Sequence, residues 1–269
     1  MQLRFCPLYS GSSGNALFVR YGETRILIDA GKSGRMITDA MTFIGEDIRN
    51  LDAILVTHEH SDHIAGVGVL ARKLGVPVYA TGGTWTGMAD RVGAIPAAQQ
   101  RVISANEDFY IGPLGVESFP LPHDANEPVG FRLWGGSWSV ATATDLGYFP
   151  KDLLNRIGGA NLVLLESNHD PDMLMANDHY SQALKRRILG RHGHLSNETC
   201  AEAAVQLRET GVRNLILGHL SGENNTPKLA LTTTESRCEL EGMALGVDIC
   251  IDVAYRDRVG AVYTVGEPD

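Results

Sequence analysis

Cysteine, long apolar runs and excess positive charge are all scarce in this chain of 269 residues. Its four cysteines, Cys6, Cys200, Cys238 and Cys250, are scattered and form no close pair. That spacing argues against a disulfide framework or a cysteine zinc knuckle and reads as the reduced, mostly buried thiols of a cytosolic protein. No stretch approaches the roughly 18 consecutive apolar residues of a membrane span, and Met1-Gln2-Leu3-Arg4-Phe5 runs into a strand without the apolar segment of a signal peptide. The expectation is a cytoplasmic protein with no membrane association and no evident obligate protein partner. Lys and Arg number 23 against 32 Asp and Glu, a net charge of −9. This disfavours charge-driven adhesion to nucleic acid or anionic membranes while leaving room for a local basic groove. No linker or low-complexity tract divides the chain, so one domain over 1–269 is expected, built from two β/α halves of roughly 1–137 and 138–269.

Against that plain background, Thr57-His58-Glu59-His60-Ser61-Asp62-His63 stands out, with three imidazoles and two carboxylates directly after the apolar run Ala53-Ile54-Leu55-Val56. His58, His60 and Asp62 are two apart, so an extended turn aims them the same way, and His63 closes the turn from the start of the next element. Glu59 and Ser61 then point away. Imidazole and carboxylate are the ligands preferred by zinc and similar divalent ions. A polar turn capping a helix through Asp62 is the plainer alternative.

Apolar runs near 3–5, 16–19, 24–28, 78–80, 109–111, 116–119, 130–133, 137–144, 162–165, 215–217, 248–254 and 260–265 read as strands. Helices are expected over 36–44, 64–74, 150–157, 179–189, 197–210 and 227–241. The β-α-β rhythm predicts an α/β fold. His58, Asp145 and His219 all fall at predicted strand ends, where ligands of α/β sheets gather, and His123 lies in a connecting loop able to reach the same edge. Asp29 is either a helix cap or the partner that orients a metal-bound histidine.

Thr57-His58-x-His60-x-Asp62-His63 followed by His123, Asp145 and His219 resembles the metallo-β-lactamase superfamily of metal-dependent hydrolases, over essentially the whole chain. Ser10-Gly11-Ser12-Ser13-Gly14-Asn15, Asp29-Ala30-Gly31, Gly66-Val67-Gly68, Glu166-Ser167-Asn168-His169-Asp170, Gly193-His194-Leu195-Ser196-Asn197 and Gly218-His219-Leu220-Ser221 are similar to its YycJ (WalJ) branch. The resemblance implies a four-layer αββα sandwich and two divalent metal ions, zinc or manganese. His58, His60 and His123 would hold the first, Asp62, His63 and His219 the second, and Asp145 would bridge them. Five imidazoles and two carboxylates are also too many for one four-coordinate ion. Histidine rather than an acidic residue at position 60 favours hydrolysis over the di-iron redox chemistry of related proteins.

The branch implies a DNA exonuclease of 5′-to-3′ polarity that attacks a phosphodiester with a metal-bridging hydroxide. Asp62, Asp145 and His194 are the expected catalytic groups. Glu166, like Asp29, would orient the residues around them. Lys185, Arg186, Arg187 and Arg191 form a run without acidic residues, and Arg187 and Arg191 are candidate phosphate contacts; a solvated basic helix end is the alternative. Asn15, His169, His194, Ser196 and Asn197 are candidate substrate-binding residues, although loop 10–15 also reads as a hairpin turn and Ser196-Asn197 as a helix cap. DNA ends are the expected partner, and the lack of a large additional helical domain argues against structured RNA. Hydrolysis of a small molecule (a cyclic nucleotide, lactone or thioester) and metal retention without turnover remain as alternatives.

Overall fold

The computed structural model describes residues 1–266. Six strands, β1 (Leu3–Tyr9), β2 (Ala16–Tyr21), β3 (Thr24–Ile28), β4 (Ala53–Leu55), β5 (Val78–Thr81) and β6 (Gln100–Ile103), build most of the first sheet. The second contains β7 (Asp108–Ile111), β8 (Leu114–Pro120), β9 (Val129–Gly135), β10 (Trp138–Ala143), β11 (Leu162–Glu166), β12 (Asn214–Gly218) and β13 (Cys250–Val253). The last strand, β14 (Tyr263–Val265), returns to pair antiparallel with β1, giving the orders β14-β1-β2-β3-β4-β5-β6 and β13-β12-β11-β10-β9-β8-β7. The chain therefore passes between sheets at residues 104–107, earlier than the expected division at 137/138, because the meander β7-β8-β9 belongs with the second sheet.

Strand pleat dictates the layering. Successive side chains face opposite sides of a sheet, and in β11 Leu162 and Leu164 enter the core between the sheets while Val163 and Leu165 face the helices. In β3, Ile26 and Ile28 likewise meet the other sheet and Leu27 packs outward with Ile37, Met41 and Leu70. Such strands are apolar on both faces because both faces are covered. Each fully buried Leu, Ile or Phe contributes about 1.5–3 kcal/mol relative to exposure, and Phe5, Phe18, Phe119 and Phe131 are among the largest in this class. The result is the expected αββα sandwich.

The helices are α1 (Gly34–Phe43), α2 (Ser61–Ile64), α3 (Val67–Leu74), α4 (Gly82–Val92), α5 (Lys151–Ile157), α6 (Pro171–Ala176), α7 (Gln182–Ile188), α8 (Asn197–Glu209) and α9 (Pro227–Leu240). The helix expected over 64–74 is two pieces: α2 carries Asp62 and His63, and the chain breaks at Ala65-Gly66. Gly66 is required there, since a Cβ would sit 2.4 Å from the Lys32 carbonyl oxygen. Helix α4 and strand β6 escape sequence reasoning. Glycines 82, 83 and 87 mask α4, but Gly83 and Gly87 admit the close approach of Glu127 and Glu59, and Thr81 caps its first turn. No helix among the described residues is long and apolar enough to cross a membrane.

Candidate metal centre at the strand ends

Residues from both sheets meet at the carboxyl ends of β3, β4, β10, β11 and β12. Ligand atoms of His58, His60 and His123 lie within 4.8 Å of one another, as do those of Asp62, His63 and His219. Asp145 groups with His58 and His63, and separately with Glu166, His194 and His219. The imidazoles crowd together, with ring centroids 4.1 Å apart for His58–His63, 4.6 Å for His58–His60 and 5.1 Å for His58–His123. Backbone conformation helps to aim them. Asp145 and His219 adopt φ of 65° and 55° as their strands end, as does Asp29 at 61°. Such left-handed conformations are uncommon outside glycine and mark sites where the surroundings enforce them.

Hydrogen bonds select the tautomers. His63 Nδ1 donates to Asp29 Oδ2 at 2.7 Å, leaving Nε2 facing the cluster. The Thr57 hydroxyl donates to the same Asp29 oxygen at 2.8 Å, so it accepts from His58 Nδ1 at 3.0 Å. His123 Nδ1 donates to the Gly193 carbonyl at 3.1 Å. Three histidines thus have Nδ1 engaged and Nε2 turned toward shared space, the arrangement by which buried acceptors orient metal-binding imidazoles.

The electrostatics agree with neutral nitrogen ligands at part of the cluster. Burial, reinforced by His63, drives the His58 imidazole well below its ordinary pKa, and burial also lowers His123. Burial opposes protonation of His63 too, but Asp145 and Asp29 outweigh it and raise its pKa. Asp145 stays ionised because His219 and His63 overcome the opposing effect of its burial. His58 Nε2, Asp145 Oδ2 and both nitrogens of His219 are buried without hydrogen-bond partners. His219 Nδ1 lies 2.7 Å from Asp145 Oδ2, yet not in hydrogen-bond alignment. Buried polar atoms are rarely left so, and this donor set fits divalent cations.

Glu166 supplies a second set of props. Its Oε2 accepts from the backbone N–H groups of Leu146 and Leu195 at 2.9 and 3.1 Å, and its Oε1 accepts from His194 Nδ1 at 2.7 Å. The His194 side chain is 21% exposed while Glu166 is fully buried. Glu59, expected to point away, accepts from the Asn126 N–H and supports the loop that carries His123.

Other expected contacts sit deeper than sequence polarity suggests. Asn15 is 3% exposed, with its amide nitrogen 3.0 Å from His63 Nε2 and its oxygen accepting from Gly11 N–H. Neighbouring Gly31 permits this packing, because a Cβ there would lie 1.6 Å from the Asp62 carbonyl. Ser196 caps α8 by accepting from the Thr199 N–H, and Asn197 is fully buried in an amide network with Ser167 and Asn225. His169 is 1% exposed, and burial pushes its pKa to about 4. Asn15, His169 and Asn197 therefore lie beneath the surface, whereas Ser196 is partly exposed. Arg187 is exposed and paired with Asp124, whereas Arg191 lies 4.7 Å over the Tyr148 ring. Lys185 is buried, its ammonium donating to the Met175 carbonyl. Sequence reasoning missed Thr57, whose single hydroxyl links Asp29 to His58; only the adjacency of Thr57 to the histidine motif hints at it.

A model of the β-lactamase superfamily domain matches residues 24–220, and the chain belongs to this superfamily of metallo-hydrolases. Among curated relatives it is 38% identical to exodeoxyribonuclease WalJ of Streptococcus pneumoniae serotype 2, over 91% of both chains. It is 41% identical to exodeoxyribonuclease YycJ of Bacillus anthracis, over 91% of this chain and 93% of that one. The crystal structure of the metallo-β-lactamase fold protein YhfI from Bacillus subtilis superposes with a TM-score of 0.71 at 16% identity, covering 98% of this chain and all of the other.

Proposed function

We propose that this hydrolase is a cytoplasmic, single-domain exonuclease that removes nucleotides from DNA ends in the 5′-to-3′ direction. The observation that carries the hydrolytic centre is the pair of ligand triads, His58/His60/His123 and Asp62/His63/His219, with Asp145 between them. In this reading His58, His60 and His123 would hold one divalent cation, zinc or manganese, Asp62, His63 and His219 would hold a second, and Asp145 would serve both. When bound, two such ions supply an activated water and neutralise charge on the phosphodiester. The DNA assignment draws on the two exodeoxyribonucleases that share most of their length with this chain.

The protein's own groups then divide the remaining work. Asp29 and Thr57 hold the imidazoles of His63 and His58 in register, which keeps the reacting geometry fixed during turnover. His194, tethered through Nδ1 by Glu166, would give a proton from Nε2 to the leaving oxygen. Arg187 and Arg191 supply positive charge beside that histidine for the strand's phosphates. Asn15, Ser196 and Asn197 brace the walls.

A substrate panel tests the reading: end-labelled single- and double-stranded DNA, RNA, bis-p-nitrophenyl phosphate, a cyclic nucleotide, a lactone and a thioester, with bound metal measured in parallel. Mononucleotide release from the 5′ end of DNA is expected. Turnover of the lactone or thioester with no phosphodiester cleavage would overturn the proposal.

A further inference from the structure

Three segments far apart in sequence are stitched together beside the cluster. Ser10 N–H donates to the Tyr255 carbonyl at 2.9 Å, Ser10 Oγ accepts from the His219 N–H at 2.9 Å, and Gly11 bridges Leu220. Across this junction lies the half-buried side chain of Arg256. A Cβ on Gly11 would meet its Cγ at 2.8 Å, and a Cβ on Gly222 would meet its Nη1 at 1.5 Å. Two glycines from opposite ends of the chain therefore make the slot that holds this arginine. It borders a cavity of about 210 Å³ lined in part by Leu220, Ser221 and Gly222, directly after His219.

Lys32 is placed the same way. Its stem runs over Gly14, where a Cβ would meet Cδ at 2.6 Å, and its ammonium donates to the carbonyl and hydroxyl of Ser13 at 2.8 and 3.0 Å. It follows Gly31, whose backbone packs on Asp62. Burial and then the charge of Arg256 depress the Lys32 pKa, so the two cations repel across the loop. Asp257 and Asp62 offset this from a distance, but no carboxylate among the described residues lies within ion-pair range of either cation. In a protein of net charge −9, two cations thus sit on one loop with no carboxylate in ion-pair range among the described residues, Asp257 and Asp62 acting only from further away. An anion is the missing counterpart.

We propose that Lys32 and Arg256, with the Ser10–Gly14 loop, form a seat for a non-scissile phosphate of the substrate strand. This rests on the nuclease reading above. The seat lies on the Asp62/His219 side of the centre, apart from Arg187 and Arg191 on the His194 side, so the two basic features would grip the strand from both flanks. The phosphate is either the one at the 5′ terminus or one within the chain; both present the same anionic oxygens.

The test is equilibrium binding of single-stranded DNA to the full-length, metal-free protein, read by fluorescence anisotropy over a range of salt. Oligonucleotides with 5′-phosphate and with 5′-hydroxyl ends are compared on wild type, Arg256→Ala, Arg256→Lys and Lys32→Ala, with circular dichroism verifying each fold. Arg256→Ala should weaken binding about 5- to 10-fold and lower the log–log salt slope by about 0.7, the value for one lost single-strand phosphate contact. Arg256→Lys should keep most of the slope. A loss confined to 5′-phosphorylated DNA assigns the terminal phosphate, and an equal loss on both ends assigns an internal one. Affinity and slope unchanged in both alanine variants would overturn the seat. If wild type binds no DNA without metal, thermal shift with inorganic phosphate decides the seat (a rise in Tm lost in Arg256→Ala retains it, and no rise removes it), while the substrate panel on the metal-loaded enzyme decides the nuclease reading separately.

Discussion

Asp29 and Asp145 hold corresponding places in the two sheets. In each sheet an antiparallel run, β1-β2-β3 or β8-β9-β10, turns parallel at the next strand, β4 or β11. Each aspartate follows the last antiparallel strand, with nearly the same φ, 61° and 65°, and each is 2% exposed. Their partners differ. Asp29 is satisfied by the Thr57 N–H, the Thr57 hydroxyl and His63 Nδ1. Asp145 Oδ2 has the imidazoles of His63 and His219 nearby, at 3.3 and 2.7 Å, and no aligned hydrogen bond, and His123 lies 3.7 Å from Oδ1. One carboxylate is completed by protein; the other keeps an oxygen without a hydrogen bond, as the proposed cation ligand requires. Backbone position supplies a buried carboxylate at this edge, and local hydrogen bonding decides its use.

Removing the two carboxylates in turn should separate these roles. Asp145→Ala has the largest expected effect: loss of bound metal, measured by elemental analysis, and loss of activity greater than the 10- to 100-fold or so typical of an orienting partner. A fully active variant with wild-type metal content would reject the bridging role. Asp29→Ala should fall within about 10- to 100-fold in metal affinity, because Thr57 and His63 lose their acceptor while every proposed ligand remains. If Asp29→Ala costs as much as Asp145→Ala, the two positions are not functionally distinct.

Much of this contrast was legible beforehand, and the reason is local. His58, His60, Asp62 and His63 are contiguous, and Asp145 and His219 each end an apolar run, so strand periodicity alone brings them to one edge. Asp29 was legible as a buried partner or a cap, but not its link through Thr57, since one hydroxyl carries no pattern. The depth of Asn15 and Asn197 was not legible, because polarity in a loop does not reveal burial; Asn15 bonds the Gly11 backbone beside His63, and Asn197 bonds Ser167 and Asn225. Helix α4 was hidden by its glycines, and the Lys32–Arg256 pair by sequence distance. Nothing near either residue in the chain signals the other, and their places are made by what glycines lack, Gly11 and Gly222 for Arg256 and Gly14 for Lys32.

Glu166 offers the finer version of the same comparison. It ends β11, the counterpart of β4, and accepts from Leu146, the residue after Asp145, so in this half the prop has moved to the neighbouring strand. Its charge and hydrogen bond, aided by Asp145 and opposed by burial, raise the His194 imidazole to about 9 in the metal-free protein. A raised folded-state pKa stabilises the fold fully below the unfolded value near 6.5, and that contribution fades as pH rises through about 9. Glu166→Gln keeps an acceptor but removes the charge. In the metal-free protein it should move the His194 titration downward, seen by NMR of the imidazole protons, and flatten the fall in Tm between pH 6.5 and 9. An unchanged His194 titration would mean that Asp145, rather than Glu166, governs that proton, and the two buried carboxylates of this half would have to exchange the roles assigned to them.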